Sequence, residues 1–118
     1  MPTAWEANLR HARHYAKVAA HANRVFVQGH DSQQMGLSLF DVEQLQIDAC
    51  WVWLREAEPS GITDELLCTY VDGTSRFGRL RYHVLKDQIP RLQLALAAAR
   101  RRHLADRELW FLASLGSA

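Results

Sequence analysis

The stretch LALAAARRRHLADRELWFLASLGSA, residues 94–118, decides the fold class because it contains two helical patterns separated by a very short link. In the first, apolar residues recur at intervals of three and four, as one face of an α-helix requires. This pattern begins before the quoted stretch and consists of Ile89, Leu92, Ala95, Leu96 and Ala99. Asp87 is the predicted N-cap of this helix, and Pro90 falls in its first turn, where a missing N–H costs little. After His103 and Leu104 a further helix is predicted over about 105–115.

Helical spacing also dominates the beginning of the chain. Apolar residues at steps of three and four predict a first helix over roughly 3–27. Gly29 then interrupts the pattern, and Asp31 or Ser32 is the candidate N-cap of a second helix over about 33–57. An alternative is a kink in this second helix, near residues 40–41 or 44–46.

The third helix is predicted from Thr63, after the turn Pro59-Ser60-Gly61, to about Tyr82. Its alternative is a break near Gly73. Gly73 and Gly78 weaken the helix but allow a neighbouring helix to approach closely. Because no segment alternates apolar and polar residues long enough for a strand, we expect one all-α domain, residues 1–118. It has about five helices, arranged as antiparallel helical hairpins.

The second helix is apolar on two sides. One side carries Phe40, Ile47, Cys50, Trp51 and Leu54, and the other carries Met35, Val42, Ala49 and Trp53. A helix of this kind is expected to lie between two neighbours. We therefore predict that both tryptophans are largely buried.

Composition excludes several classes of protein. Hydrophobic residues make up 48% of the 118 residues, which favours a globular domain over a disordered chain. Arg10, Arg13 and Lys17 interrupt any apolar run near the N-terminus, so we expect neither a signal peptide nor a membrane segment, and a cytoplasmic location. The two cysteines have no metal-binding spacing. Charge is divided unevenly, since residues 1–75 have five Lys/Arg and ten Asp/Glu, and residues 76–118 have nine and three.

The segments LALAAAR and ELWFLASLG resemble a junction between two tetratricopeptide-type repeats. LRHARHYAKVAAHANRVFVQG, followed by GLSLFDVEQLQIDACWVWL, is similar to the helical segment before the repeats in bacterial NB-ARC and STAND signalling ATPases. The resemblance implies a right-handed, tetratricopeptide-like array in a sensor arm. In that family, small residues such as Ala95 and Ala99 let one helix lie against its partner, and Leu115-Gly116 packs the following pair. The chain departs from the pattern at His103, where glycine is usual, at Leu104 and at Gln46.

The resemblance does not extend to an ATPase. The chain has no glycine-rich phosphate loop ending in Lys-Ser/Thr, so nucleotide-driven function would need another polypeptide. We therefore expect a non-catalytic protein–protein interaction module without a cofactor, whose partner is a protein such as a signalling ATPase or effector.

Two sets of side chains are alternative candidate sites. His11, His14 and His21 share one face of the first helix, but no carboxylate joins them, so we expect no metal site there. The nucleic-acid-binding alternative uses the basic C-terminal half, with the patch Arg91, Arg100, Arg101 and Arg102. Consecutive arginines point in different directions around a helix, so a solvated helix end is the preferred interpretation. No catalytic constellation is present, and we do not expect an enzyme.

The last helix has an apolar stripe with no following helix and no polar cap. Its residues are Leu109, Trp110, Leu112, Ala113 and Leu115. Exposed apolar surface of this kind marks an interaction site. The acidic first part of the chain and the basic second part would also favour pairing of two copies. We predict a homo-oligomer, most simply a twofold homodimer. A second contact face is predicted on the first helix, formed by His14, Val18, His21 and Val25.

Overall fold

The computed structural model describes residues 3–117, apart from the side chains at positions 78, 79, 84, 85 and 117. Within that range the protein is all-helical and contains no strand. The helices are α1 (Ala4–Val27), α2 (Asp31–Glu56), α3 (Gly61–Thr74), α4 (Gly78–Arg81), α5 (Ile89–Arg101) and α6 (Ala105–Ser117). A 3₁₀ turn (Ser75–Phe77) joins α3 to α4, and a π-helical turn (Val84–Gln88) precedes α5.

Successive long helices pack as neighbours. Helix α1 packs along α2 and also contacts α3, whereas α5 packs between α3 and α6. The pairs α1–α2 and α3–α5 are antiparallel, since Phe26 lies against Gly36 and Asp64 meets Arg101. The expected antiparallel packing is therefore present in both pairs, although residues 75–88 separate α3 from α5.

Helices α1 and α3 run in the same direction. The Tyr70 hydroxyl donates a 2.6 Å hydrogen bond to the Ala12 carbonyl. One turn later, a Cβ atom placed on Gly73 would lie 3.5 Å from the Ala19 Cβ. This glycine therefore lies at a close helix contact, as predicted, whereas the packing of Gly78 falls outside the described side chains.

Three phenylalanines form the centre of one end of the core. Phe77 stacks on Phe40, with ring centroids 4.3 Å apart, and meets Phe26 edge-on at 5.1 Å. Phe40 and Phe77 are fully buried. Phe77 belongs to the 3₁₀ turn, so the interruption after α3 places its ring in the core.

The third predicted helix ends at the alternative position near Gly73. Its last residues bond their hydroxyls to backbone carbonyls of the preceding turn, Thr74 to Tyr70 and Ser75 to Asp72. Side-chain bonds of this kind compete with regular helix hydrogen bonding. The helix begins earlier than predicted because Ser60 is the N-cap and forms a capping box with Thr63.

Two predicted N-caps are wrong. Asp31 is the first residue of α2 rather than its cap, and His30 occupies the cap position without a side-chain bond. Backbone bonds from Ser32 to Gly29 and from Gln33 to His30 satisfy the first N–H groups instead. Asp87 lies inside the π-helical turn, where its carboxylate accepts the His83 N–H at 2.9 Å.

The prediction that α2 is buried on both of its apolar sides is wrong in part. Phe40, Ile47, Cys50, Trp51 and Leu54 are buried, as expected. On the other side, Met35 is 60% and Val42 is 79% exposed, and Trp53 is only partly buried. The second apolar side of α2 is therefore a surface.

The end of α5 explains two departures from the repeat pattern. His103 has a left-handed backbone, with φ of 55°, although it is not glycine. The Leu104 N–H donates to the Ala99 carbonyl and the His103 N–H to the Arg100 carbonyl, which is the pairing of a Schellman motif. In that motif the residue after the left-handed position makes an apolar contact, and Leu104 is partly buried against the core.

Candidate interaction surfaces

The exposed face of α6 contains most of the predicted C-terminal surface. Leu109 is 67%, Trp110 41% and Leu112 42% exposed, and Ala113 is also exposed. Leu115 differs, because it is partly buried against the core. We call Leu109, Trp110, Leu112, Ala113 and Gly116 the α6 face.

Phe111 anchors α6 and was not among the predicted surface residues. Its side chain is fully buried, and its ring meets the adjacent Trp110 ring edge-on, with centroids 5.2 Å apart. Adjacent residues on a helix point about 100° apart, so burial of Phe111 turns Trp110 outward. The helix is thus held in place by one residue while its neighbours remain accessible.

The predicted face of α1 borders an apolar groove. His14 and His21 are exposed, whereas Val18 and Val25 are half-buried. Val18 and His21 line one side of the groove, and α2 supplies Met35, Ser38, Leu39, Val42 and Glu43 on the other. Sequence reasoning assigned Met35 and Val42 to the interior, and so missed their part in this surface. We call it the α1–α2 groove.

The four arginines of the predicted basic patch are paired with carboxylates. Arg91 lies 3.3 Å from Asp48, and Arg100 lies 3.0 Å from Glu108. Arg101 and Arg102 both bond Asp64, at 2.6 and 3.1 Å. Their charge is therefore largely compensated within the fold.

Asp64 is a fully buried carboxylate in the first turn of α3. Burial acts to raise its pKa, but the hydrogen bonds from Arg101 and Arg102 outweigh burial and hold the pKa below its usual value. The arginines sit at the end of α5. The pairing thus joins the positive end of one helix dipole to the negative end of another.

Arg91 also lines a polar cleft between α2 and the part of the chain from the end of α4 to the first half of α5. Its guanidinium stacks over the rings of Tyr82 and Trp51, 4.2 and 5.1 Å from their centroids. The Tyr82 hydroxyl donates a 2.7 Å hydrogen bond to Asp48, and burial together with this bond raises the pKa of Tyr82. The cleft therefore holds a compact structural network around Asp48.

Unpaired positive charge is concentrated on α1 instead. Arg10, Arg13, Lys17 and Arg24 are exposed, and no ion pair involves them in the described part of the chain. Steps of three, four and seven residues place them on one line along the helix. We call this line the α1 ridge. The spacing of these four cations is visible in the sequence. The comparison of residues 1–75 with residues 76–118 does not reveal them, because residues 1–75 carry more acidic than basic side chains.

The described histidines and cysteines do not form a recognisable metal-binding site. Among the described residues, no group of three or more His, Cys, Asp or Glu side chains could hold a metal ion. His11 lies 3.3 Å from the Gln46 amide oxygen and meets Tyr15 edge-on. Cys50 and Cys68 are free and buried, and burial raises the pKa of both thiols. A raised thiol pKa disfavours the reactive thiolate.

No helix in the described range is both long and apolar enough to cross a lipid bilayer.

No protein-family model, curated protein or solved structure matches this chain. The likeness to tetratricopeptide repeats and to signalling ATPases therefore rests on the residues quoted above.

Proposed function

We propose that this chain is a non-catalytic protein–protein interaction module that associates with a second copy through the α6 face. The observation that carries the proposal is the exposure of Leu109, Trp110 and Leu112 on a helix anchored by buried Phe111. A fixed helix that presents large apolar side chains to water is a typical protein-binding surface.

The composition of the α6 face favours self-association. Its large residues Leu109 and Trp110 lie in the first half of the helix, and its small residues Ala113 and Gly116 lie in the second half. In a twofold antiparallel pair, the large residues of each copy meet the small residues of the other. A Cβ atom on Gly116 would have no neighbour within 4 Å, so space for a partner side chain exists there.

The arrangement of helices supports a tetratricopeptide-like build. In such arrays, the first helices of consecutive hairpins are neighbours. Helices α1 and α3 have this relationship, being parallel and in contact through Tyr70 and Gly73. Together with the resemblance of the sequence, this favours a role in a bacterial signalling assembly, with a signalling ATPase or effector as partner.

Sedimentation velocity at increasing protein concentration tests self-association. We expect a concentration-dependent dimer that dissociates in the Trp110→Glu and Leu112→Glu variants, because burying a carboxylate without a partner is costly. Ile62→Glu is the matched control, since Ile62 is 40% exposed, much like Trp110 and Leu112, but belongs to α3 rather than α6. A wild-type protein that stays monomeric, or a dimer that survives both α6 variants, would contradict the proposal.

A further inference from the structure

We propose that the α1–α2 groove and the α1 ridge together bind an amphipathic helix with an acidic edge, supplied by a partner protein. This inference rests on the proposed interaction role, but it concerns a surface other than the α6 face. It therefore identifies the chemistry of a second partner.

The ridge provides a line of uncompensated cations. Arg10, Arg13, Lys17 and Arg24 span a helix length of about 21 Å, at a rise of about 1.5 Å per residue. The carboxylate on the same line is Glu6, one turn before Arg10. Elsewhere in the described chain, all six arginines from Arg81 to Arg107 lie within 4 Å of a carboxylate. The fold thus pairs most of its other described arginines with carboxylates and leaves this line of four cations unpaired.

The groove lies directly beside the ridge. His21 lies one helical turn after Lys17 and three residues before Arg24, and it lines the groove together with the half-buried Val18. Across from them Met35, Leu39 and Val42 follow helical spacing along α2 and are all exposed. Glu43 is the acidic residue on this lining. A ligand in the groove would therefore meet apolar side chains along its centre and cations along the α1 edge.

An amphipathic helix fits both parts of this surface. Its apolar stripe would lie in the groove, as in other helix-in-groove complexes. Glutamate or aspartate on one edge would face the ridge, where opposite charge raises the association rate and fixes orientation. A nucleic-acid backbone would use the cations but leave Met35 and Val42 in water, so the apolar groove favours a helix.

A peptide pair tests the inference directly. The probe is a fluorescein-labelled helical peptide of about 18 residues, long enough to span the ridge. It has leucine at positions i, i+4, i+7 and i+11, and glutamate along one adjacent edge. Its twin carries glutamine in place of every glutamate. Binding is measured by fluorescence anisotropy at about 50 mM and about 300 mM salt, because screening distinguishes charge from apolar contact.

We expect the glutamate peptide to bind at least about tenfold tighter than its twin at low salt, with the difference shrinking at high salt. The double variant Arg13→Glu/Lys17→Glu should abolish this preference. Arg76→Glu is the matched control, since Arg76 is exposed, unpaired in the described chain and outside α1. Val42→Glu should weaken binding of both peptides, and circular dichroism verifies that each variant is folded.

Equal affinity for the two peptides, or no detectable binding of either, would overturn the inference. Tighter binding of a duplex oligonucleotide or of anionic vesicles than of the glutamate peptide would also overturn it and assign the ridge to phosphate groups. The measurement is repeated in the Leu112→Glu background. Peptide binding that persists there while self-association is lost separates this surface from the α6 face.

Discussion

Replacing Asp64 by asparagine should destabilise the fold strongly. The side chain is fully buried, and its carboxylate accepts from Nε and Nη2 of Arg101 and from Nε of Arg102. Asparagine keeps the shape of the side chain but removes the charge that holds both guanidinium groups. The substitution therefore tests the ion pairing rather than the packing.

The expected loss of stability follows from the number of arginines that bond Asp64 and from how exposed their side chains are. A hydrogen bond to a charged group contributes about 1.5–3 kcal/mol. The two arginine side chains are 41% and 42% exposed, so water replaces part of what they lose, and the lower end of that range applies to each. Loss of the acidic side chain from the first turn of α3 adds about 0.3–1 kcal/mol. We therefore expect a decrease of about 3 kcal/mol in the free energy of unfolding, a large share of a typical total of about 5–15 kcal/mol.

Urea unfolding followed by tryptophan fluorescence measures this difference, and Glu65→Gln is the control. Glu65 is the exposed neighbour of Asp64, so its substitution should change stability by less than about 0.5 kcal/mol. The pH dependence gives a second check. Because the folded pKa of Asp64 is lowered, its stabilisation is present above the unfolded value of about 3.9 and is lost as the pH falls through the folded pKa. An asparagine variant as stable as the Glu65→Gln control, or a difference from wild type that persists under strong acid, would refute this account.

Three further substitutions test the backbone and the core. Gly36→Ala should destabilise the fold by about 1–3 kcal/mol by overpacking, because its Cβ would collide with the backbone nitrogen and Cα of Phe26. Tyr70→Phe should cost about 1–2 kcal/mol, since it removes the buried hydrogen bond to Ala12. His103→Gly should stabilise by about 0.5–1 kcal/mol, because glycine adopts the left-handed backbone without steric cost. Urea unfolding measures all three.

Each of these substitutions has a control with a different expected sign or size. Gly116→Ala has open space for its Cβ and should not be destabilising. Tyr15→Phe removes a hydroxyl from a half-buried ring and should cost less than Tyr70→Phe. His21→Gly lies inside α1 and should destabilise by about 0.5–1 kcal/mol, opposite to the effect at His103. Matching effects within any pair would contradict the structural explanation for that pair.

The spacing of apolar residues along the chain was sufficient to predict the helices that bury only one face. The apolar intervals predicted α1 and α6 to within a few residues, because such helices bury a single stripe. His103 stands where the repeats that the sequence resembles usually have glycine, and it has the left-handed backbone that glycine favours.

Spacing does not reveal how many neighbours a helix has or which distant residues pair with it. Met35 and Val42 have the same local pattern as buried residues, yet both side chains are exposed. The charges of Arg101 and Arg102 are visible in the sequence, but their partner Asp64 is 37 and 38 positions away. Periodicity therefore predicted the secondary structure better than it predicted the candidate surfaces.

The separation of the pairing partners has a consequence for synthesis of the protein. Carboxylates from early in the chain pair with arginines from late in the chain: Asp41 with Arg81, Asp48 with Arg91, Asp64 with Arg101 and Arg102, and Asp72 with Arg107. Translation proceeds from the N-terminus, so these acids leave the ribosome before the residues that neutralise them exist. Asp64 therefore stays hydrated until α5 has been made, and α3 cannot reach its final buried state earlier. Arginines made late in synthesis thus neutralise aspartates made earlier, and the fold is completed only when the later helices have been synthesised.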